Sequence, residues 1–256
     1  PASDVEERDG AYWYEGEKVS REYGKMGKSL KNIVTPDEMY DEYGADTFRL
    51  YEMSSGPLEA SRPWNTRDVI GMQRFLQRVW RNLVDEDSGR SLVIDIPASE
   101  ELRKLLHRMI DGIRADMDGL RFNTAIAKLI QLNNALTQEA AAVGGSPREV
   151  VVPLVQMLSP LCPHLADELW FRLGHDSTVT YVPFPVADPA LLVEDSIEVP
   201  VQVNGKVRSK LSVLPTVTDE ELRAFALADE KVIALLNGAE PAKVVIVPKR
   251  LVNVVL

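Results

Sequence analysis

The sequence predicts a mainly α protein: a helical junction and an antiparallel helix bundle, followed by a small α+β domain. Three observations carry this. Apolar residues recur at helical spacing from Thr66 to about Leu173. Two capping boxes, Thr35-Pro36-Asp37-Glu38 and Thr218-Asp219-Glu220-Glu221, mark helix starts on either side of that region. After Ile197 the apolar period changes to two, around Asn204-Gly205, the strongest two-residue hairpin signal. The implied divisions are 1–65, a bundle over 66–174, a proline-bearing linker over 175–196, and a terminal domain over 197–256.

Taken in order, "AYWYEGEKVSREYGK" is aromatic and polar, with Gly16 at a turn, and reads as a short hairpin or irregular β segment. Thr35 caps a helix that has Pro36 at its first position and ends at Gly44. A second short helix, "ADTFRLYEMSS", has Asp46 near its start. In the next, "TRDVIGMQRFLQRVWRNLVDE", Val69, Met72, Leu76, Val79 and Leu83 share a stripe. Ser99, Glu100 and Glu101 open a helix whose apolar set is Leu102, Leu105, Leu106, Met109, Ile110 and Ile113. "FNTAIAKLIQLNNALTQEAAA" is closed by Gly144-Gly145, and Ser146-Pro147-Arg148-Glu149 reads as a capping box for the next helix. Pro160 and Pro163 break that helix, and "PHLADELWFRL" restarts it. Helices joined by short loops make a bundle. In the last domain "IEVPVQV" and "KVRSKLSV" alternate about the hairpin turn, two helical stretches follow, and "KVVIVP" and "LVNVV" supply two more strands.

Composition narrows the function classes. Of the 256 residues 45% are apolar and 27% charged, an ordinary globular balance. No run reaches the roughly 18 apolar residues of a membrane span, and the acidic start, "PASDVEERDG", resembles no targeting peptide. The single cysteine, Cys162, excludes an internal disulfide and a Cys-rich zinc site, which points to the cytoplasm. His107, His164 and His175 are too scattered to offer a metal-ligand set. The net charge of −10 is uneven: from Ile197 onward eight Lys/Arg face seven Asp/Glu, against 21 and 32 before it. Local basic surfaces can therefore still meet RNA, because screening confines each charge to roughly 10 Å.

The stretch "GKMGKSLKN", residues 24–32, is where chemistry first shows. Gly27-Lys28-Ser29 resembles the end of a P-loop, but the required earlier glycine is Glu22, no apolar strand leads in, and the helix is delayed to Thr35. Lys25-Met26-Gly27-Lys28-Ser29 fits K-M-S-K-S better. Two lysines three apart, on a loop with Gly24 and Gly27, can reach one polyanion, and their ammonium groups would offset charge developing on a triphosphate. Ser29 adds a hydroxyl. On these five residues alone, a solvated Lys/Gly surface loop is the better reading.

The wider context bears on that choice. "KMGKSLKN" followed by "PDEMYDEYGADTFRLYEM" and "GPLEASRPWN" resembles the close of a class I aminoacyl-tRNA synthetase core. "FLQRVWRNL" and "LSPLCPHLADELW" resemble the anticodon-binding-type bundle of the subgroup serving leucine, isoleucine, valine and methionine. "VPVQVNGKVRSKL", "ALADEKV" and "VPKRLVNVV" resemble the C-terminal domain of bacterial leucyl-tRNA synthetases. The resemblance implies that Lys25, Met26, Gly27, Lys28 and Ser29 handle ATP, with Lys28 nearest the phosphates; Gly27 departs from the family's usual serine. It implies ATP with Mg²⁺ as substrate, leucine and leucine tRNA as partners, a monomer, and no membrane. The H-x-G-H tetrad, the Rossmann glycine-rich start and a threonine-rich editing segment are absent from these residues. The chain therefore reads as a C-terminal fragment that does not activate leucine alone. A non-catalytic tRNA-binding scaffold derived from a synthetase, or a sister valine or isoleucine enzyme, is the alternative.

Two basic clusters follow. Arg74, Arg78 and Arg81 form a helical stripe that suits either a solvated face paired with acids or a tRNA backbone. Lys206, Arg208 and Lys210 alternate with apolar residues, so period two puts three cations on one strand face; with Lys249 and Arg250 they form a candidate tRNA surface. A lysine-protected sheet edge explains the same pattern. His164, at a helix start after Pro163, reads as a capping or packing residue. Trp80 and Trp170 read as core, Trp64 as an anchor of the junction, and Cys162 as a small buried residue.

Overall fold

The computed structural model describes residues 5–22, 24–30, 32–192 and 197–256. The first four residues, Tyr23 and Lys31 beside the Lys/Gly loop, and the last part of the expected linker lie outside them. The chain divides into one unit through Asp188 and a second from Pro189.

Near the N-terminus the expected hairpin is a three-stranded antiparallel sheet of β1 (Val5–Arg8), β2 (Ala11–Tyr14) and β3 (Glu17–Val19). The chain reverses at Asp9-Gly10 and Glu15-Gly16, all four with positive φ, as two-residue hairpin turns require. Thr35 then caps α1 (Pro36–Tyr43): its hydroxyl accepts from Glu38 N, and the Glu38 carboxylate accepts from Thr35 N at 3.2 Å. Gly44, at φ +85°, ends α1 and begins α2 (Ala45–Ser54), a conformation that L side chains resist.

The bundle comprises α3 (Thr66–Leu83), α4 (Glu100–Asp118), α5 (Phe122–Val143), α6 (Arg148–Leu158) and α7 (Pro163–Arg172). The predicted stripes face inward: Val69, Leu76, Val79 and Leu83 of α3 and Leu102, Leu106, Ile110 and Ile113 of α4 are buried. They meet Leu129, Leu132 and Leu136 of α5 and Leu154, Leu158 and Leu169 from α6 and α7. Within this apolar core Asn82 Nδ2 donates to Asn133 Oδ1 and to Thr137 Oγ1, both at 2.9 Å. Asn133 Nδ2 finds no partner, so the pair is satisfied only through its Oδ1, and those bonds form in one alignment of α3 against α5.

The expected capping box at Ser146–Glu149 does not form. Ser146-Pro147 is β5, paired in parallel with β4 (Val93–Ile94), and Ser146 Oγ donates to Asn82 O at 2.6 Å. Glu149 turns away to accept from Ala98 N at 2.6 Å, which ties the entry of α4 to α6. Gly145 permits this closeness: a Cβ there would stand 2.7 Å from Ile94 and 2.8 Å from Leu92 O.

Much of the stretch expected to be a linker is packed. Val179 is buried, and Val182, Phe184 and Ala187 lie on the bundle core. Asp167 accepts from Thr178 Oγ1 at 2.7 Å and from Val179 N at 2.8 Å. Arg114 Nη2 donates to Phe184 O and Pro185 O, both at 3.1 Å, and its guanidinium covers the Phe184 ring. Proline here sets an extended strap rather than a free tether.

The second unit is a four-stranded sheet in the order β7-β6-β9-β8, made of β6 (Ile197–Val203), β7 (Lys206–Val213), β8 (Lys243–Val247) and β9 (Leu251–Val255). β6 and β9 pair in parallel, and the other pairs are antiparallel. α8 (Asp219–Ala228) starts at the predicted capping box of Thr218 and Glu221, and α9 (Glu230–Leu236) is capped by Asp229. Val199, Val201, Val203, Val252 and Val254 pack with Leu222, Ala226 and Val232 as a separate core.

One buried acid links stability to pH. Asp116, at the end of α4, is 5% exposed. Burial opposes its ionisation, but hydrogen bonds from Lys128, Thr124 and Arg121 outweigh it and hold the carboxyl below its ordinary value of 3.8. The folded value is depressed, so this stabilisation is present above the unfolded value and is lost as pH falls through the folded one. Asp116→Asn should cost about 2 kcal/mol at neutral pH. In urea denaturation the gap to wild type should close below roughly pH 4; a gap independent of pH would contradict the assignment.

Candidate functional site

The Lys/Gly loop is short and braced from within. Gly27 N donates to Asn32 Oδ1 at 2.9 Å, and Leu30 N to Gly27 O at 3.1 Å, closing a single 3₁₀ turn over Lys28–Leu30. Lys25, Lys28 and Ser29 are exposed, and neither lysine forms an ion pair among the described residues. Two uncompensated ammonium groups three residues apart suit a multiply charged anion. The first long helix begins only at Pro36, as the case against a P-loop requires. Gly27 has no positive φ, and a Cβ there would meet only Lys25 O and Ser29 Oγ at 3.9 Å, an ordinary contact. The loop backbone therefore accommodates serine.

Met26 projects from this loop into a cavity of about 270 Å³ that it lines with Tyr51, Glu52, Gly56, Arg62 and Trp64. Gly56, at φ +140°, lets Arg62 lie against its backbone; a Cβ there would be 2.5 Å from the guanidinium. Trp64 anchors the junction as expected. Its ring meets Tyr51 edge-on at 4.8 Å and its Nε1 donates to Thr66 Oγ1 at 2.9 Å, while Asn65 N donates to Tyr51 OH. Arg62 carries no sequence signal beyond its charge, because its place depends on the chain folding back at Gly56.

The α3 arginines are not equivalent. Arg81 is paired with Glu86 at 3.1 Å, Arg78 is half-buried with its Nε unpartnered, and Arg74 is exposed with no ion pair among the described residues. The Trp80 ring is covered by the Arg172 guanidinium at 4.8 Å, and Trp170 is 4% exposed and stacked on His175 at 3.7 Å. Both tryptophans pack rather than offer stacking faces. His164 Nδ1 lies 2.9 Å from Asp46 Oδ1 at the start of α7, but its ring is largely exposed, so the expected packing between helices is not found. Cys162 is fully buried; desolvation, with Asp46 nearby, pushes its thiol well above the ordinary range.

In the terminal sheet the expected face of three cations is corrected. The β6–β7 register slips between Val201 and Gln202: Val201 pairs with Ser209, but Gln202 pairs with Val207 and Val203 with Lys206. Arg208 is left as the extra residue of a bulge. Lys206 therefore shares a row with buried Val203, at the hairpin end, while Lys210 lies on the opposite face beside Pro200. Lys210 is held by Glu198 at 2.8 Å, a bond that raises its pKa. The outward face includes Val207 at 55% exposure and Val245 and Val247 at about 40%, so it is more apolar than the alternation implied. Lys249 and Arg250 sit in the β8–β9 turn. Val252 pairs with Val201 and Val254 with Val203, so these two cations lie at the end of the sheet away from Asn204-Gly205. Lys243, paired with Val255, is the cation that β8 brings towards the hairpin end; its signal lies in strand order, which no local pattern carries.

Among the described residues no group of three or more His, Cys, Asp or Glu comes together, and no helix is long and apolar enough to cross a membrane.

The family described as anticodon-binding domain of tRNA ligase matches residues 99–222, from the start of α4 into α8. The leucine–tRNA ligase of Saccharopolyspora erythraea is 60% identical over 255 residues, covering all of this chain and 27% of that protein. That of Salinispora tropica is also 60% identical, over all of this chain and 26% of its own length. The chain matches the C-terminal part of leucine–tRNA ligases from end to end. It spans about a quarter of the length of these relatives. A crystal structure of a LeuRS–tRNA–LeuAMS ternary complex from Agrobacterium radiobacter K84 is similar over 90% of this chain and 31% of its own, with a TM-score of 0.72 at 27% identity.

The tolerance at Gly27 is checked directly. Gly27→Ser should shift unfolding free energy by no more than about 1 kcal/mol, in the stabilising direction if at all, because serine narrows the unfolded ensemble. A clear loss of stability would mean that the loop backbone differs from the one described.

Proposed function

We propose that this chain is the tRNA-binding, C-terminal part of a leucine–tRNA ligase and supplies the phosphate-binding loop of its ATP site. The observation that carries this is the end-to-end 60% identity to leucine–tRNA ligases, on a chain whose Lys25 and Lys28 stand exposed on one braced turn. In the intact ligase, leucine is joined to AMP from Mg²⁺-bound ATP and then to the 3′ end of its tRNA. Lys28 acts as the main phosphate contact, with Lys25 and Ser29 beside it and Met26 and Gly27 shaping the loop. Fixed cations near the triphosphate stabilise charge that grows as pyrophosphate leaves. No H-x-G-H tetrad occurs in these residues, so the segment alone does not form adenylate. Residues 1–65 close the catalytic core. The ligase acts in the cytoplasm as a monomer.

The tRNA contacts divide between two places. Arg74, with Arg78 and Arg81 following it along α3, faces the backbone from the bundle. Lys206 and Arg208 do so at the hairpin end, and Lys210, Lys249 and Arg250 contribute weakly, being paired or at the other end of the sheet.

Two experiments test this on the full-length ligase. Lys28→Ala should lower ATP–pyrophosphate exchange by roughly a hundredfold while leaving tRNA affinity unchanged; full exchange would contradict the loop's role. Changing Lys206, Arg208 and Lys210 together to Ala should flatten the salt dependence of tRNA binding, by about 0.7–0.9 in slope for each phosphate that no longer meets a cation. Lys210→Ala alone should leave the slope in place. An unchanged slope in the triple variant removes the hairpin from the tRNA interface.

A further inference from the structure

α2 is anchored at its first turn by a matched pair of charges. Asp46, 8% exposed, accepts from Leu165 N at 2.7 Å through one oxygen and lies 2.9 Å from His164 Nδ1 through the other. Arg49, three residues on, donates from Nε to Leu161 O and from Nη2 to Pro160 O, both at 3.0 Å. The acid thus meets the free amides at the start of α7, and the cation meets carbonyls just past the end of α6. Each charge is of the sign that its helix end favours. The spacing i, i+3 puts both on one face of α2.

The last turn of α2 faces the loop. Tyr51, Glu52 and Met53 form one wall of the cavity that Met26 lines from the other side. A ten-residue helix spans about 15 Å as one rigid body. α2 therefore meets the bundle corner at one end and, at the other, walls the cavity that Met26 of the loop also lines, and Tyr40 and Phe48 in edge contact at 5.5 Å lock α1 to it.

We propose that Asp46 and Arg49 are positioning residues that couple the α6–α7 corner to the loop, so that tRNA held on the bundle sets where the lysines stand. This rests on reading residues 25–29 as the ATP-phosphate loop. The role argued for them needs no contact of their own with ATP or tRNA. They act by fixing the angle of α2, and small displacements of a charge-stabilising loop change rates steeply.

The test uses the full-length ligase with Asp46→Asn, Arg49→Ala, Arg49→Lys and Lys28→Ala. Asn retains a capping oxygen, so Asp46→Asn is expected to fold. Its exchange kcat should fall roughly tenfold or more at a temperature where it is fully folded, with tRNA Kd within about twofold of wild type. Arg49→Ala should behave alike, and Arg49→Lys should recover part of the activity. In the Lys28→Ala background Asp46→Asn should cause no further decrease. Decreases that multiply in the double variant, or that track the unfolded fraction, overturn the proposal. Exchange retained by Asp46→Asn but abolished in Lys28→Ala sinks the coupling alone; exchange retained by Lys28→Ala sinks the loop reading and the coupling with it.

Discussion

At the corner between α6 and α7, two helix ends would be left with bare amides and carbonyls, and Asp46 and Arg49 of α2 satisfy both. The arrangement of the first unit depends on this contact. A carboxylate as buried as Asp46 is tolerated only where donors surround it, so α2 has one seat on the bundle. Once seated, α2 carries α1, the Gly44 corner and the Met26 cavity with it. The Asn82–Asn133 bonds do the same inside the core, fixing α3 against α5 where apolar packing alone would allow slippage.

Electrostatics follow from which cations are committed to the fold. Arg81, Arg121, Lys128, Arg148, Arg172 and Lys210 each face an acid. Lys25, Lys28, Arg74, Lys206 and Arg208 are among the cations that form no ion pair among the described residues, and under the proposed function these are the charges offered to phosphate. A chain with a net charge of −10 can bind a polyanion through such local excess, because distant acids are screened.

The sequence conveys the local features well. Thr35 with Glu38 and Thr218 with Glu221 cap helices as their spacing requires, and Asn204-Gly205 turns the hairpin with both φ values positive. Asp9-Gly10 carries the same kind of signal for the first turn, but β1 is polar and the expected β segment starts only at Ala11. What escapes a local reading depends on partners far along the chain. Glu149 forgoes a local cap because Ala98 N, 51 residues away, offers a better donor position. The bulge at Arg208 leaves the alternation of residue types intact while moving Lys206 across the sheet. The proline-bearing strap looks like a linker until Asp167 and Arg114 are seen to hold it. Asp46 and Arg49 read as an ordinary first-turn acid and a surface base; only the fold puts helix ends beside them.

If α2 joins the bundle to the loop, all three respond to tRNA together. Amide hydrogen exchange on the full-length ligase, with and without leucine tRNA and in the absence of ATP, reads this response element by element. Leucine tRNA should slow exchange in α3 and also in residues 45–54 and 24–30. Protection confined to the bundle and the terminal hairpin, with residues 24–54 unchanged, would contradict the coupling.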